Sequence, residues 1–231
     1  MKYVLTLLVI LGTAASVHAA LLSENFDGAM TGWTNTMTVV ATDRGNSLVG
    51  TNATPFVRAS ANLSSAVGSG SIYVQVDMEL ITANFRASAM ALYDASGNGI
   101  VLNLDAHGAN NYISSGACPT TDSGVTQFAA NMHASTIDLV GDMKPLNVLS
   151  WKTVRYDINL DTGAISASVD GTVYKTGNAS TILAAMGDIT TFAIGSSRQV
   201  YLDNVVVDVP EPASLTLLVL SGLGMLIRRK R

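Results

Sequence analysis

Asp77 and Glu79 stand two residues apart in a stretch, Ser71 to Ile81, where Ile72, Val74, Val76, Met78 and Leu80 alternate with Tyr73, Gln75, Asp77 and Glu79. Period-two alternation predicts a strand with one buried face, and it puts both carboxylates on the opposite face. Two acids so close couple their ionisation, and a retaining glycosidase needs carboxyl groups ~5–5.5 Å apart, which this spacing allows. A third acid on the same face is missing, since the chain continues Leu80-Ile81-Thr82. The competing reading is a solvated strand face with no chemistry. The same face has a binding reading, because sugars are held by aromatic stacking and planar polar groups. Tyr73, Gln75, Asp77 and Glu79, with Asn103, Asp105, Trp151, Arg155 and Asp157, form the candidate surface, and Trp151 has the parity of the polar residues, as a stacking platform requires.

Other reactive residue types point nowhere in particular. Cys118 is the only cysteine, so no intrachain disulfide can form, and it precedes Pro119 in a Gly/Ser/Thr-rich stretch without a catalytic pattern. His107 and His133 are isolated and lack zinc spacing. The chain has 231 residues and a net charge of −4. Setting aside Lys2, the four terminal cations and Glu211 leaves eight Lys and Arg against sixteen Asp and Glu, so the body is acidic. That balance argues against nucleic acid and anionic membrane surfaces as partners.

The elements that must position these residues are short strands separated by turn signals. Strands are predicted at Leu21–Asp27, Met37–Ala41, Ser47–Val49, Phe56–Ala59 and Ser71–Ile81, with a hairpin of Arg86–Tyr93 and Gly99–Asp105. Ala106–Gly124 reads as irregular, with weaker strands at Val125–Ala130 and Thr136–Val140. Trp151–Tyr174 reads as a three-strand meander turning at Asp161-Thr162-Gly163 and Asp170-Gly171. A single short helix is predicted at Ser180–Met186 with Ser180 as N-cap, before closing strands at Thr190–Ile194 and Gln199–Asp208. The sum is an all-β chain: one antiparallel β-sandwich over residues 20–208.

The two ends have a different character. Lys2 and the apolar run Val4–Leu11 lead to Val17-His18-Ala19, the layout of a signal peptide (residues 1–19) cut by signal peptidase between Ala19 and Ala20. At the other end, Val209-Pro210-Glu211-Pro212 is followed by an uncharged apolar run, Ala213 to Ile227, and then by Arg228-Arg229-Lys230-Arg231. The prolines favour an extended, exposed hinge. At ~1.5 Å per residue the apolar run makes a short transmembrane helix, somewhat shorter than a ~30 Å bilayer core, with the cations on the cytoplasmic side. Hinge, apolar run and basic end in this order resemble the PEP-CTERM sorting signal of bacterial surface proteins, here residues 209–231. The resemblance implies recognition of Pro210, Glu211 and Pro212 by an exosortase-type membrane transpeptidase, cleavage near the motif, and delivery to the cell envelope, cell surface or extracellular matrix. The alternative is a plain C-terminal anchor that is never cut.

A second resemblance covers the body. Glu24-Asn25-Phe26-Asp27-Gly28 with Trp33, Trp151 with Val154-Arg155-Tyr156 and Asp170-Gly171, and Tyr201-Leu202-Asp203-Asn204-Val205 resemble the concanavalin A-like (LamG-type) jelly roll. A galactose-binding-like jelly roll would give a similar pattern. The concanavalin A-like resemblance implies that the first and last strands lie close together, with Phe26-Asp27 near Leu202-Asp203. It also implies a structural calcium ion where Glu24, Asp27 and Asp203 could converge; no other cofactor is expected. The body is then expected to bind polysaccharide or to act as a structural, adhesive matrix component. The alternative is a glycoside hydrolase or polysaccharide lyase using Asp77 and Glu79.

Overall fold

The alternation that singles out residues 71–80 also builds the centre of the molecule. In the computed structural model, which describes residues 19–35, 37–50, 57–80, 88–103, 112–115, 137–138, 140–141, 150–196 and 200–210, Leu21–Val209 forms one compact unit and the chain ends are assigned to another. The strands in chain order are β1 (Leu22–Glu24), β2 (Trp33–Asn35), β3 (Thr38–Thr42), β4 (Gly45–Gly50), β5 (Val57–Val67), β6 (Ser71–Leu80), β7 (Ser88–Asp94) and β8 (Gly99–Asn103). They continue with β9 (Tyr112–Ser115), β10 (Ile137–Asp138), β11 (Val140–Gly141), β12 (Trp151–Asn159), β13 (Ala164–Val169) and β14 (Thr172–Asn178). One helical turn, α1 (Ser180–Leu183), precedes β15 (Ile189–Ser196) and β16 (Val200–Asp208).

The strands form two antiparallel sheets. The first has the order β11-β14-β13-β12-β6-β16-β4-β3, with β1 added alongside β16, and the second β10-β9-β8-β7-β15-β5-β2. Their inner faces supply the core. Ile72, Val74, Val76 and Met78 of β6 and Val154, Tyr156 and Ile158 of β12 join Met90, Leu92, Ile100, Leu102, Phe192 and Ile194 of the second sheet in one buried cluster. Burying such a side chain stabilises the fold by about 1.5–3 kcal/mol, so this layer dominates the folding energy. Edge-to-face contacts of Trp33 with Phe26 (5.8 Å) and with Phe192 (6.2 Å) close one flank.

The predicted all-β sandwich and the meander are present, and Asp170 and Gly171 take positive φ (49° and 78°), as a two-residue type I′ turn demands. Several expectations need correction. β5 extends to Val67, well beyond Ala59, because pairing to β15 and β2 overrides the weak strand propensity of Ser, Ala and Asn. Tyr112–Ser115, inside the stretch read as irregular, pairs with β8. The helix is shorter than predicted and its N-cap is Ala179, without a side-chain cap. Asn178 Oδ1 instead accepts the Ser180 N–H at 2.9 Å. Residues 1–18 of the predicted signal peptide, the apolar run 213–227, Glu211, Pro212, Asp105, His107, Cys118, Val125–Ala130 and His133 lie outside the described residues. Among the described residues, no helix is long and apolar enough to cross a membrane.

Candidate functional site

Register decides which residues meet on the outer face of the first sheet. Across β12, β6 and β16, Trp151 stands opposite Glu79 and Glu79 opposite Tyr201. One step along, Thr153 is opposite Asp77 and Asp77 opposite Asp203. Further along, Arg155 pairs with Gln75, and Asp157 with Tyr73, which in turn faces Asp208. The predicted surface therefore exists for Tyr73, Gln75, Asp77, Glu79, Trp151, Arg155 and Asp157. Asn103 falls on β8 in the other sheet and is not part of it.

A bulge follows the Asp203 pairing. Between Asp203 and Val206 the register of β16 on β6 slips by one residue, with Asn204 in the left-handed region (φ 46°). Without the slip, the buried Leu202 would be in phase with Asn204 and Val206. With it, Leu202, Val205 and Val207 all face the core and Asn204 is released to reach Asp77.

Asp77 is not the solvated acid its alternation suggests. It is 8% exposed. Its Oδ1 accepts the Thr153 hydroxyl at 2.5 Å, and its Oδ2 accepts Arg44 Nη1 at 3.0 Å and Asn204 Nδ2 at 2.9 Å. These bonds make it an anchor that ties the β3–β4 turn to the sheet. The turn itself, Asp43-Arg44, joins Thr42 to its pairing partner Gly45 and carries two further contacts. Asp43 Oδ1 accepts the Trp151 indole N–H at 3.0 Å, and the Arg44 guanidinium lies 5.0 Å from the centre of the Trp151 ring. Gly45 has φ 113°, and a Cβ there would stand 2.8 Å from Asp27 Oδ1. That oxygen also accepts the Asn46 N–H at 3.0 Å, so the turn closes against Asp27 only with glycine at 45.

Trp151 is thus no isolated platform. It stacks on Tyr201, centroids 6.4 Å apart and planes 23° from parallel, with half-buried Glu79 between their strands. Tyr201, Asp43, Arg44 and Asn204 had no signal in alternation; only the Asp-Arg-Gly turn composition marks a place where a hairpin tip could fold over a face. At the other end of the face the Arg155 guanidinium covers Tyr73 at 3.8 Å and grips Asp157 with Nε at 3.0 Å from both carboxylate oxygens. The Asp157 hydrogen bond raises the Arg155 pKa despite partial burial. Burial first, then the charge of Asp208, raises that of Tyr73.

The acids on the β16 side influence one another. Asp27 and Asp203 are near enough for the first to disfavour ionisation of the second. Burial, foremost, and the charges of Asp27 and Asp77 push the Asp203 pKa up, against the Asn204 N–H hydrogen bond. Glu24 Oε1 is occupied locally by the Phe26 N–H at 2.9 Å. Among the described residues, no group of three or more His, Cys, Asp or Glu side chains is placed to hold a metal ion. Glu24, Asp27 and Asp203, where calcium is expected, do not form such a group. A separate pocket lined by Val67, Leu160, Leu183, Met186 and Ile189 shares no residue with the face.

A family model of the PEP-CTERM protein-sorting motif matches residues 208–231. The chain carries that sorting signal. No curated protein matches the chain in sequence. In structure, the sandwich is similar to part of a sialidase, with 11% identity and a TM-score of 0.54 over 83% of this chain but 19% of that one. It is also similar to the carbohydrate binding module CBM66 from Bacillus subtilis (16% identity, TM-score 0.49, 78% of this chain and 97% of that one). Lectin II from Ulex europaeus matches at 10% identity and a TM-score of 0.47, over 82% and 99% of the two chains. At these identities the likeness concerns the fold, an antiparallel jelly-roll sandwich. The sorting motif indicates export and delivery to the cell envelope, and implies handling by an exosortase-type system.

Proposed function

We propose that this protein is an exosortase substrate of the bacterial cell surface or extracellular matrix, and that its sandwich binds polysaccharide through the Trp151–Tyr201 end of the first sheet's outer face. The sorting motif at residues 208–231 supports the delivery. The observation that carries the binding reading is the stacked Trp151–Tyr201 pair beside Glu79 and Arg44 on an accessible sheet face. Aromatic rings offer the apolar face of a pyranose a surface, and the carboxylate and guanidinium offer an acceptor and donors for its hydroxyls. Arg44, with 44% of its side chain exposed while Nη1 stays on Asp77, carries further guanidinium donors for a ligand. Structural calcium plays no part in this reading. Asp77, with both oxygens engaged, serves as a scaffold, so nothing favours hydrolysis by an Asp77–Glu79 pair.

The test is retention on a panel of insoluble polysaccharides. Wild type is expected to be retained by at least one, and Trp151→Ala and Tyr201→Ala to pass through. Retention by none, or retention unaffected by either substitution, would sink the binding reading. Intact mass after membrane fractionation, beside a variant with Pro210, Glu211 and Pro212 all changed to Ala, tests the delivery. The wild type should lose both ends, with its N-terminus at Ala20, and the variant should keep its tail.

A further inference from the structure

The two ends of the sandwich meet on one strand. β1 pairs with β16 through Leu22–Val207, Ser23–Val206 and Glu24–Val205. The first and last strands of the sandwich are therefore neighbours. Both exits are held tightly. Val206, Val207 and Asp208 pair with Gln75, Val74 and Tyr73 of β6 on the other flank. Leu21 is buried, and its carbonyl accepts the Ser64 N–H of β5, in the second sheet, at 2.9 Å. Val209 packs against the core and donates its N–H to Asp208 Oδ1 at 2.8 Å. Pro210 is exposed. The matched motif begins at Asp208, the last residue of a strand paired on both sides. Only Val209 separates that strand from Pro210.

We propose that the folded sandwich itself restricts processing of its tail: the cut falls on the C-terminal side of Val209, and enzyme access is limited by opening of the β1–β16 end. This rests on the sorting reading above. An enzyme that cleaves a chain holds residues on both sides of the bond in extended form, and those before Pro210 become available only when the last pairs of β16 open. Strand ends open locally more easily than the whole fold does, and where opening is fast, cleavage follows the population of the open form. In the step itself a peptide C–N bond beyond Val209 breaks. Its acyl carbon passes to an enzyme nucleophile and then to water or an acceptor amine, while the new amine takes a proton and departs with the tail. The geometry also orients the product. Tyr201 and Asp208 are at opposite ends of β16, roughly 20 Å apart at strand rise, so the Trp151–Tyr201 pair is displayed at the end remote from the attachment point.

The experiment is a pulse–chase of the full chain in its native host, with the mature species read by intact mass. A six-residue Gly-Ser insertion between Val209 and Pro210 is expected to speed tail release at least about threefold, because flexible spacers supply free chain without touching the fold. Thermal unfolding of the two released bodies should coincide. A second variant, Ser23→Cys with Val206→Cys, staples β1 to β16 and should slow release until reductant is added. Release at an unchanged or lower rate in the insertion variant, or a mature chain ending before Val209, overturns the proposal. Tail release that persists in the triple alanine variant overturns the sorting reading instead, so the two failures are distinguishable.

Discussion

β6 and β12 of the first sheet and β7 of the second have outer faces of opposite character. On the first sheet, the outward residues of β6 and β12 are polar or aromatic and partly accessible, apart from Asp77, which is buried beneath its hydrogen bonds. On the second, β7 is buried at every position. Met90 and Leu92 join the core cluster, and Ala89, Ala91 and Tyr93, of opposite parity, are also fully buried. A sheet covered on one side alternates in sequence, and a sheet covered on both does not. The difference leaves the outer face of β6 and β12 accessible and makes β7 a buried layer of the scaffold.

The sharpest way to break that contrast is to put the same charge on each face. Ala91→Glu should destabilise by at least about 3 kcal/mol, since a carboxylate would be buried without a partner. Gln75→Glu, on the open face, should stay within about 0.5 kcal/mol. Urea unfolding of both variants checks this, and similar losses would mean that the first face is also covered.

The contrast between anchor and free acid comes next in size. Asp77→Ala strands Thr153, Arg44 and Asn204 and should cost about 1–3 kcal/mol. Glu79→Ala should cost less than about 0.5 kcal/mol. Equal costs by chemical denaturation would remove the distinction between the two carboxylates.

Acid titration compares one buried carboxylate from each sheet. Asp203 has a raised pKa, chiefly from burial, so its stabilising protonated state is complete below the unfolded value near ~3.9 and is lost as pH rises through the raised folded value. Asp203→Asn should therefore be more favourable, relative to wild type, at pH 7 than at pH 3. Asp94, at the end of β7, behaves in the opposite sense. Burial works to raise its pKa, but hydrogen bonds from Gly187, Asn98 and Ser96 outweigh it and leave the pKa lowered. Its contribution is present above the unfolded value and lost as pH falls through the folded one, so Asp94→Asn should do most harm at neutral pH. Melting temperatures of both variants across pH 3–7 should diverge in opposite directions. The smallest effect is expected from Arg155→Lys, which gives up the forked contact to Asp157 and the tight cover over Tyr73 for about 0.5 kcal/mol, measurable in a denaturant series.

Much of the face was legible because β6 and β12 obey alternation: Tyr73, Gln75, Glu79, Trp151 and Arg155 lie where parity puts them. Tyr201 belongs to a strand whose parity is reset by the bulge at Asn204, and no count of alternating residues locates a bulge. Arg44 and Asp43 reach the face from a hairpin tip, a contact separated by 33 positions from Asp77 and by 108 between Asp43 and Trp151. β5 was read too short for a related reason, since neighbours in the sheet and not the local pattern decide its extent.

The sequence by itself determined the sorting motif, the all-β class and the polar face of β6 and β12, because each is written in contiguous residues through charge, hydropathy or period two. Tertiary structure alone decided that Asp77 is an anchor and that Trp151 is stacked on Tyr201 and roofed by Arg44. Those facts depend on register between strands far apart in the chain, and register is settled only when the sheets pair and the core closes.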